Sequence, residues 1–233
     1  MENEKLNQGI LNIWIDHFDE VKKFNNEKIL WPVLSQEFNK NSILFLGINP
    51  SGDSDHAKDR FLIKNKDDIR DNDKIRELID MEKKNIWDNG YSKYFKPFQK
   101  ISNQLKISFD HFDLYFFRMR SSKKYFQLLE ENKESQFFKK QLNLSLNTIV
   151  HNITPKVIFV ANKEASDIFI KRFSSEIKFN ELEGFYVLSI NNHKIPVFFS
   201  GMISSARSID NYTLDRIIWH IKKALNFYEV NNQ

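Results

Sequence analysis

The residues best suited to chemistry lie in one stretch, Ser42-Ile-Leu-Phe-Leu-Gly-Ile-Asn-Pro-Ser-Gly-Asp53. Apolar residues Ile43 to Leu46 and Ile48, grouped around Gly47, run into Asn49-Pro50-Ser51-Gly52, a turn that neither continues a strand nor starts a helix cleanly. The turn offers a carboxamide, a hydroxyl and closely approachable backbone amides, so Gly47, Ile48, Pro50 and Ser51 are expected substrate contacts around Asn49. A carboxamide donates and accepts hydrogen bonds at once but takes up no full proton. It suits holding a water or reading a polar edge. Asp53, Asp55 and His56 follow on the same loop and offer a different chemistry, the start of a divalent-metal site for phosphodiester hydrolysis. No later segment adds a carboxylate or His cluster at a strand end, because Asp110, His111 and Asp113 precede the strand expected there. Arg118, Arg120, Lys123 and Lys124 stand beside Tyr115 and Tyr125, a composition that fits a DNA face or equally the solvated start of a helix.

Positioning these groups requires a sheet. Ile43–Gly47, Phe112–Phe117, Lys156–Ala161 and Pro196–Ser200 are short, apolar and rich in β-branched or aromatic residues, and helical patterns separate them. Runs buried on both faces predict a parallel, four-stranded sheet covered on two sides by helices, an α/β/α domain. In such a sheet ligands bind where loops leave the carboxyl ends of strands. Phe185–Ile190 is expected to add a short edge strand before a turn at Asn191-Asn192. Leu6, Ile10, Ile13, His17 and Val21 share one face of an N-terminal helix. Leu214, Ile217, Ile218, Ile221 and Leu225 do so near the C-terminus, with Ser208 or Asp210 as N-cap. A helix over about Ser135–Asn152 ends before Pro155. The densely charged segment Lys58–Asn89 reads as a solvated helical excursion, with a flap over substrate as the alternative.

The Gly47-Ile48-Asn49-Pro50-Ser51-Gly52 turn resembles the first motif of the uracil-DNA glycosylase superfamily, nearest its mismatch-specific and single-strand-selective branches. There the Asn is catalytic, and an aromatic that stacks on the flipped base follows about a dozen residues later; here Phe61 stands twelve after Asn49. TPKVIFVANKEASDIFIKRF resembles the helix–strand–helix passage of that family, and IPVFFSGMISSARSIDNYTLDRI occupies the place of its second catalytic loop. Met202-Ile203-Ser204 replaces the usual His- or Asn-Pro-Ser, so Ser204 alone carries over. Where relatives end a strand in an Asn that reads uracil, this chain has Phe117 and Arg118. The resemblance implies that Asn49 holds the attacking water and that Phe61 stacks on the base, with Phe117 lining the substrate site. Backbone amides, Ser204 or Arg207 would stabilise the departing base. Ser205, Arg207, Arg118, Arg120 and Lys123 would meet DNA. The missing amide and loop His point away from plain uracil, since a buried reader without partners costs about 1–3 kcal/mol. The expected activity is a monofunctional DNA glycosylase on a modified pyrimidine, including a hypermodified phage cytosine in antiviral defence. Uracil or mismatch repair is the runner-up, and a metal-dependent phosphoesterase or a non-catalytic DNA-binding module are alternatives of other classes.

The remaining properties set limits. At 233 residues one domain spanning the chain is expected. Lys+Arg 35 against Asp+Glu 31 leaves +4, which suits a polyanionic partner without requiring one. The absence of Cys excludes disulfides and thiolate metal sites, and neither GxxxxGK[ST] nor GxGxxG occurs. No cofactor is expected. The polar N-terminus and short apolar runs lead to a cytoplasmic monomer as the expectation. The 22 Phe read as compositional drift.

Overall fold

The computed structural model describes residues 2–24, 29–35, 37–50, 61–87, 92–119, 121–190, 193–203 and 209–231. It is an α/β structure, and its backbone contacts gather into two compact units. The first comprises Met1–Glu37, Asn49–Asn89 and Asp113–Asn152; the second comprises Phe38–Ile48, Gly90–Phe112 and Ile153–Gln233.

In the first unit the expected N-terminal helix is two, α1 (Glu2–Asp16) and α2 (Phe18–Phe24), parted at His17, whose ring meets Glu20 at 2.8 Å. Leu6, Ile10, Ile13 and Val21 are buried as their spacing predicts. A two-residue strand β1 (Ile29–Leu30) pairs antiparallel with β3 (Leu62–Ile63). The charged excursion becomes a short 3-10 turn, Lys66–Arg70, and helix α3 (Asn72–Trp87), anchored by the buried Leu78. Helices α5 (Ser122–Glu131) and α6 (Gln136–Thr148) follow later, and a π-helical turn, Ile149–Ile153, extends α6. The core is aromatic: Trp14 meets Phe137 edge-on at 4.9 Å, Phe24, Phe117 and Phe138 surround Phe137, and Tyr125 stacks on Phe117. Much of the phenylalanine is thus spent on packing, where each ring buries a large apolar area.

The second unit holds a mixed six-stranded sheet in the order β4-β2-β5-β8-β7-β6. Its centre is β2 (Ile43–Gly47), β5 (Val157–Val160) and β8 (His193–Phe199), which run parallel. β2 and β5 are buried at every position, as continuous apolar runs require. Helix α4 (Ser92–Leu105) packs here, with Phe98 stacked on Phe45 at 4.4 Å. Asn162 caps α7 (Lys163–Arg172) by accepting from Ala165 N–H at 2.9 Å. Asn162→Ala is expected to cost about 1 kcal/mol, read as a lowered thermal midpoint. Asp210 caps α8 (Asn211–Asn231), accepting from Thr213 N–H and Oγ1 at 2.9 and 2.7 Å.

The four-stranded expectation needs two corrections. First, β7 (Phe185–Ile190) is internal: it pairs antiparallel with both β8 and the true edge strand β6 (Ile177–Asn180). Gly184, at φ 76°, makes the turn between β6 and β7 in a conformation that glycine adopts without strain. Second, the strand expected at Phe112–Phe117 is β4 (Phe109–Asp113). Leu114–Phe117 are apolar because they are buried in the first unit, and their backbone bonds need no ladder. Ser145 Oγ donates to Leu114 C=O at 2.7 Å, Gln141 Oε1 accepts from Phe116 N–H at 3.0 Å, and Val33 N–H donates to Phe116 C=O at 3.2 Å. Asp110 and His111 therefore lie within a strand, and Asp113 ends it.

Candidate functional site

The chain leaves β2 at Gly47 and reaches Asn49 two residues later. Asn49 is half-buried, and Gly47, Ile48 and Pro50 around it are buried. Its Nδ2 donates to Pro50 C=O at 3.0 Å and to Met119 C=O at 3.2 Å. Met119 N–H in turn donates to Pro50 C=O at 3.2 Å. Two carbonyl acceptors fix which end of the carboxamide is nitrogen, because only NH₂ donates to them. Oδ1 is left as an acceptor with no partner among the described residues. The loop after β2 and the segment after β4 are tied together at this point.

Phe61 lies beside the same segment. Its ring is 4% exposed, and the Arg118 guanidinium sits over it, 4.4 Å from the centroid. One face of the expected stacking aromatic is therefore already covered by a cation, a contact worth about 2 kcal/mol when desolvated. Arg118 itself is 5% exposed; its Nε donates to Trp31 C=O at 3.1 Å and it forms an ion pair with Glu82 of α3. The expectation of a surface phosphate contact fails for Arg118, because its donors are spent on an enclosed partner set. Phe117 likewise does not line a substrate site: it is 2% exposed and packs against Phe24, Phe137 and Phe138. Lys123 and Lys124 are exposed on the first turn of α5, where Ser121 Oγ accepts from Lys124 N–H at 3.3 Å. Those two follow the reading of a solvated helix start.

Asp113, set aside in the sequence as lying at the wrong edge of its strand, ends β4 instead. It retains some accessible surface, yet burial is the chief cause that pushes its carboxyl up to about 7; Glu82 raises it further and Arg118 opposes. One guanidinium thus faces two carboxylates. Tyr125 is wholly buried, its hydroxyl has no partner among the described residues, and burial with the nearby Tyr115 and Asp113 raises its proton affinity. In the second unit, burial among Tyr94, Phe95 and Phe98 lowers the His111 imidazole to about 4, so it is a neutral core ring.

Ser51, Asp53, Asp55, His56, Arg120, Ser204, Ser205 and Arg207 lie outside the described residues, as do Asn191, Asn192 and Ser208. Met202 is 42% exposed and Ile203 buried, and Ile209 N–H donates to Met202 C=O at 3.3 Å. Among the described residues no three His, Asp or Glu side chains gather as metal ligands, and no helix is long and apolar enough to cross a membrane. The chain matches no family model and no curated protein. What the site can do follows from two groups: a carboxamide whose nitrogen is held by two backbone carbonyls, and a ring under a guanidinium.

Proposed function

We propose that the chain is a monofunctional DNA glycosylase that hydrolyses the N-glycosidic bond of a flipped-out modified pyrimidine and leaves an abasic site. The carrying observation is Asn49: its nitrogen is held by two backbone carbonyls, so its oxygen is aimed as an acceptor for a water. Breaking the bond passes through a cationic sugar and an anionic base. Asn49 orients the water but takes no proton, so its contribution is positional and electrostatic. The strand order supports the same reading. Ile43 N–H donates to Ser108 C=O at 2.9 Å, where β2 and β4 both begin, which favours β4 as a fourth parallel strand in a three-layer α/β/α domain.

The partner in this reading is DNA, bound by a cytoplasmic monomer, with no cofactor. Bulky cytosines of phage DNA are the proposed natural target, in defence against infection. The Gly47-Ile48-Asn49-Pro50 turn favours uracil or mismatch repair as the second reading. The test is base release from DNAs carrying uracil, 5-hydroxymethylcytosine or its glucosylated form, read by alkali cleavage and mass spectrometry in the presence of EDTA. Free base with an alkali-labile site is the expected result. Strand breaks that appear without alkali and vanish in EDTA would replace this reading with a metal phosphoesterase. DNA binding without any released base would leave a non-catalytic module.

A further inference from the structure

Helix α8 buries the face that its apolar spacing predicts, with Leu214, Ile218, Ile221 and Leu225 turned inward. Its outer face carries two large aromatic residues that packing does not account for. Tyr212 is 87% exposed and Trp219 58% exposed; among the described residues the one ring near either is Trp219's own neighbour His220, at 5.1 Å. Tyr212, Arg216 and Trp219 stand at i, i+4 and i+7 and so share one line of the helix, with Lys222 and Lys223 a turn beyond. The uncompensated charge on this face is positive. Asp215 pairs with Lys100 of α4 at 3.4 Å and Lys223 with Glu183 at 3.1 Å, while the exposed Arg216 and Lys222 have no ion-pair partner among the described residues. The place of the helix also matters. β6 and β8 both run antiparallel to β7, so the end of β8 and the β6–β7 turn lie at one edge of the sheet, the edge at which β2 ends two residues before Asn49. α8 is fastened to that edge at its start, where Ile209 N–H donates to Met202 C=O, and at Lys223, through Glu183 of the turn. In an α/β sheet this is the edge at which ligands bind.

We propose that the outer face of α8 holds single-stranded DNA, with Tyr212 and Trp219 stacking on bases and Arg216 and Lys222 meeting the phosphates. The choice of DNA over RNA rests on the glycosylase reading; the stacking face itself does not. Exposed rings interleaved with cations are what an unpaired strand requires, and the contact is tolerant of sequence because every base has a π-face. Seven residues at about 1.5 Å each set the two aromatic positions roughly 10 Å apart along the helix, which spans about three stacked steps of a DNA strand. A duplex keeps its base faces stacked on one another and offers the rings nothing. A membrane surface would need a continuous apolar face, and the apolar face of α8 is spent on the sheet. A second copy of the chain docked symmetrically would bring Arg216 and Lys222 against the same cations. A polyanion with exposed aromatic faces answers both the charge and the rings.

The test measures the affinity of the full chain, by fluorescence anisotropy, for labelled oligothymidylate, oligouridylate and a hairpin duplex, all unmodified. Stacking on one ring changes affinity by about 5- to 150-fold on alanine substitution, so Trp219→Ala should weaken oligothymidylate binding by at least about fivefold. Trp219→Phe should restore most of that loss. Trp219→Leu, which keeps apolar surface without a ring, should behave as Trp219→Ala does. Arg216→Gln should lower the salt slope by about 0.7, the share of one phosphate on a single strand. Duplex binding should not respond to Trp219. Thermal midpoints should stay at the wild-type value, since these side chains are exposed; Tyr212→Ala provides a second, independent removal of a ring. Oligothymidylate affinity within twofold of wild type in both alanine variants, wild-type binding by Trp219→Leu, or an equal loss on duplex and single strand would overturn the stacking face. Tighter binding of oligouridylate with the same dependence on Trp219 would overturn the assignment to DNA. A wild-type protein that releases no base yet binds oligothymidylate through Trp219 would uphold this face and remove the glycosylase reading alone.

Discussion

Asn49→Ala should reduce base release by about 10²–10³-fold with little change in folding or in affinity for DNA. The size follows from what the side chain does. Its nitrogen is spent on Pro50 and Met119 carbonyls, and its oxygen is the group that would hold the attacking water. Truncation removes the oxygen and loosens the tie to Met119, but Met119 N–H still donates to Pro50, so the loop keeps one of its fastenings. Asn49→Asp separates the parts of that role. A carboxylate can position and deprotonate water, but it cannot donate to the two carbonyls and would face them unfavourably. Single-turnover rates, thermal midpoints and filter binding on the same oligonucleotide distinguish these effects. Wild-type turnover in Asn49→Ala would return the turn to a purely structural role.

The sequence made Asn49 visible because everything about it is local. A buried strand, a turn residue and a proline are adjacent in the chain, and their meaning does not depend on distant partners. The same holds for the Asp210 cap and for the end of α6 before Pro155, where Thr154 adopts φ 43°. The register of β4 was hidden for the opposite reason. Leu114–Phe117 look like a strand, yet Gln141 and Ser145, more than twenty residues on, satisfy that backbone from another element. Strand β6 was missed because Ile177–Asn180 is only four residues long and buries Ile177 alone; the turn at Gly184 was the signal available. Asp113 also carried a signal, a carboxylate inside the run expected as the strand Phe112–Phe117, which the observed strand Phe109–Asp113 places at its end. Glu82 carried none, since one carboxylate in a charged helix looks like any other until its cation is located.

Arg118 shows how a misread charge changes what a mutation should do. As a phosphate contact, Arg118→Ala would weaken DNA binding and lower the salt slope by about one unit, with stability unchanged. The structure instead encloses its guanidinium between Glu82, the Trp31 carbonyl and the face of Phe61. Removing one partner of a buried pair strands the other charge, at a cost of about 3–5 kcal/mol, or roughly 10 °C in thermal midpoint for a chain of this size. Glu82 would then lie near Asp113 with no cation, so the loss should grow as pH rises and Asp113 ionises. Arg118→Met combined with Glu82→Leu removes the charges together and should recover much of the loss, because the pair repays its own desolvation only partly. The thermal midpoints of the two single variants and the double, taken at pH 6 and pH 8, give the coupling directly. Additive losses would show that the pair is exposed to solvent. A changed salt slope at unchanged stability would restore Arg118 to the DNA surface. The expected result leaves Arg118 a positioning residue, holding Phe61 and α3 against the segment that fastens Asn49.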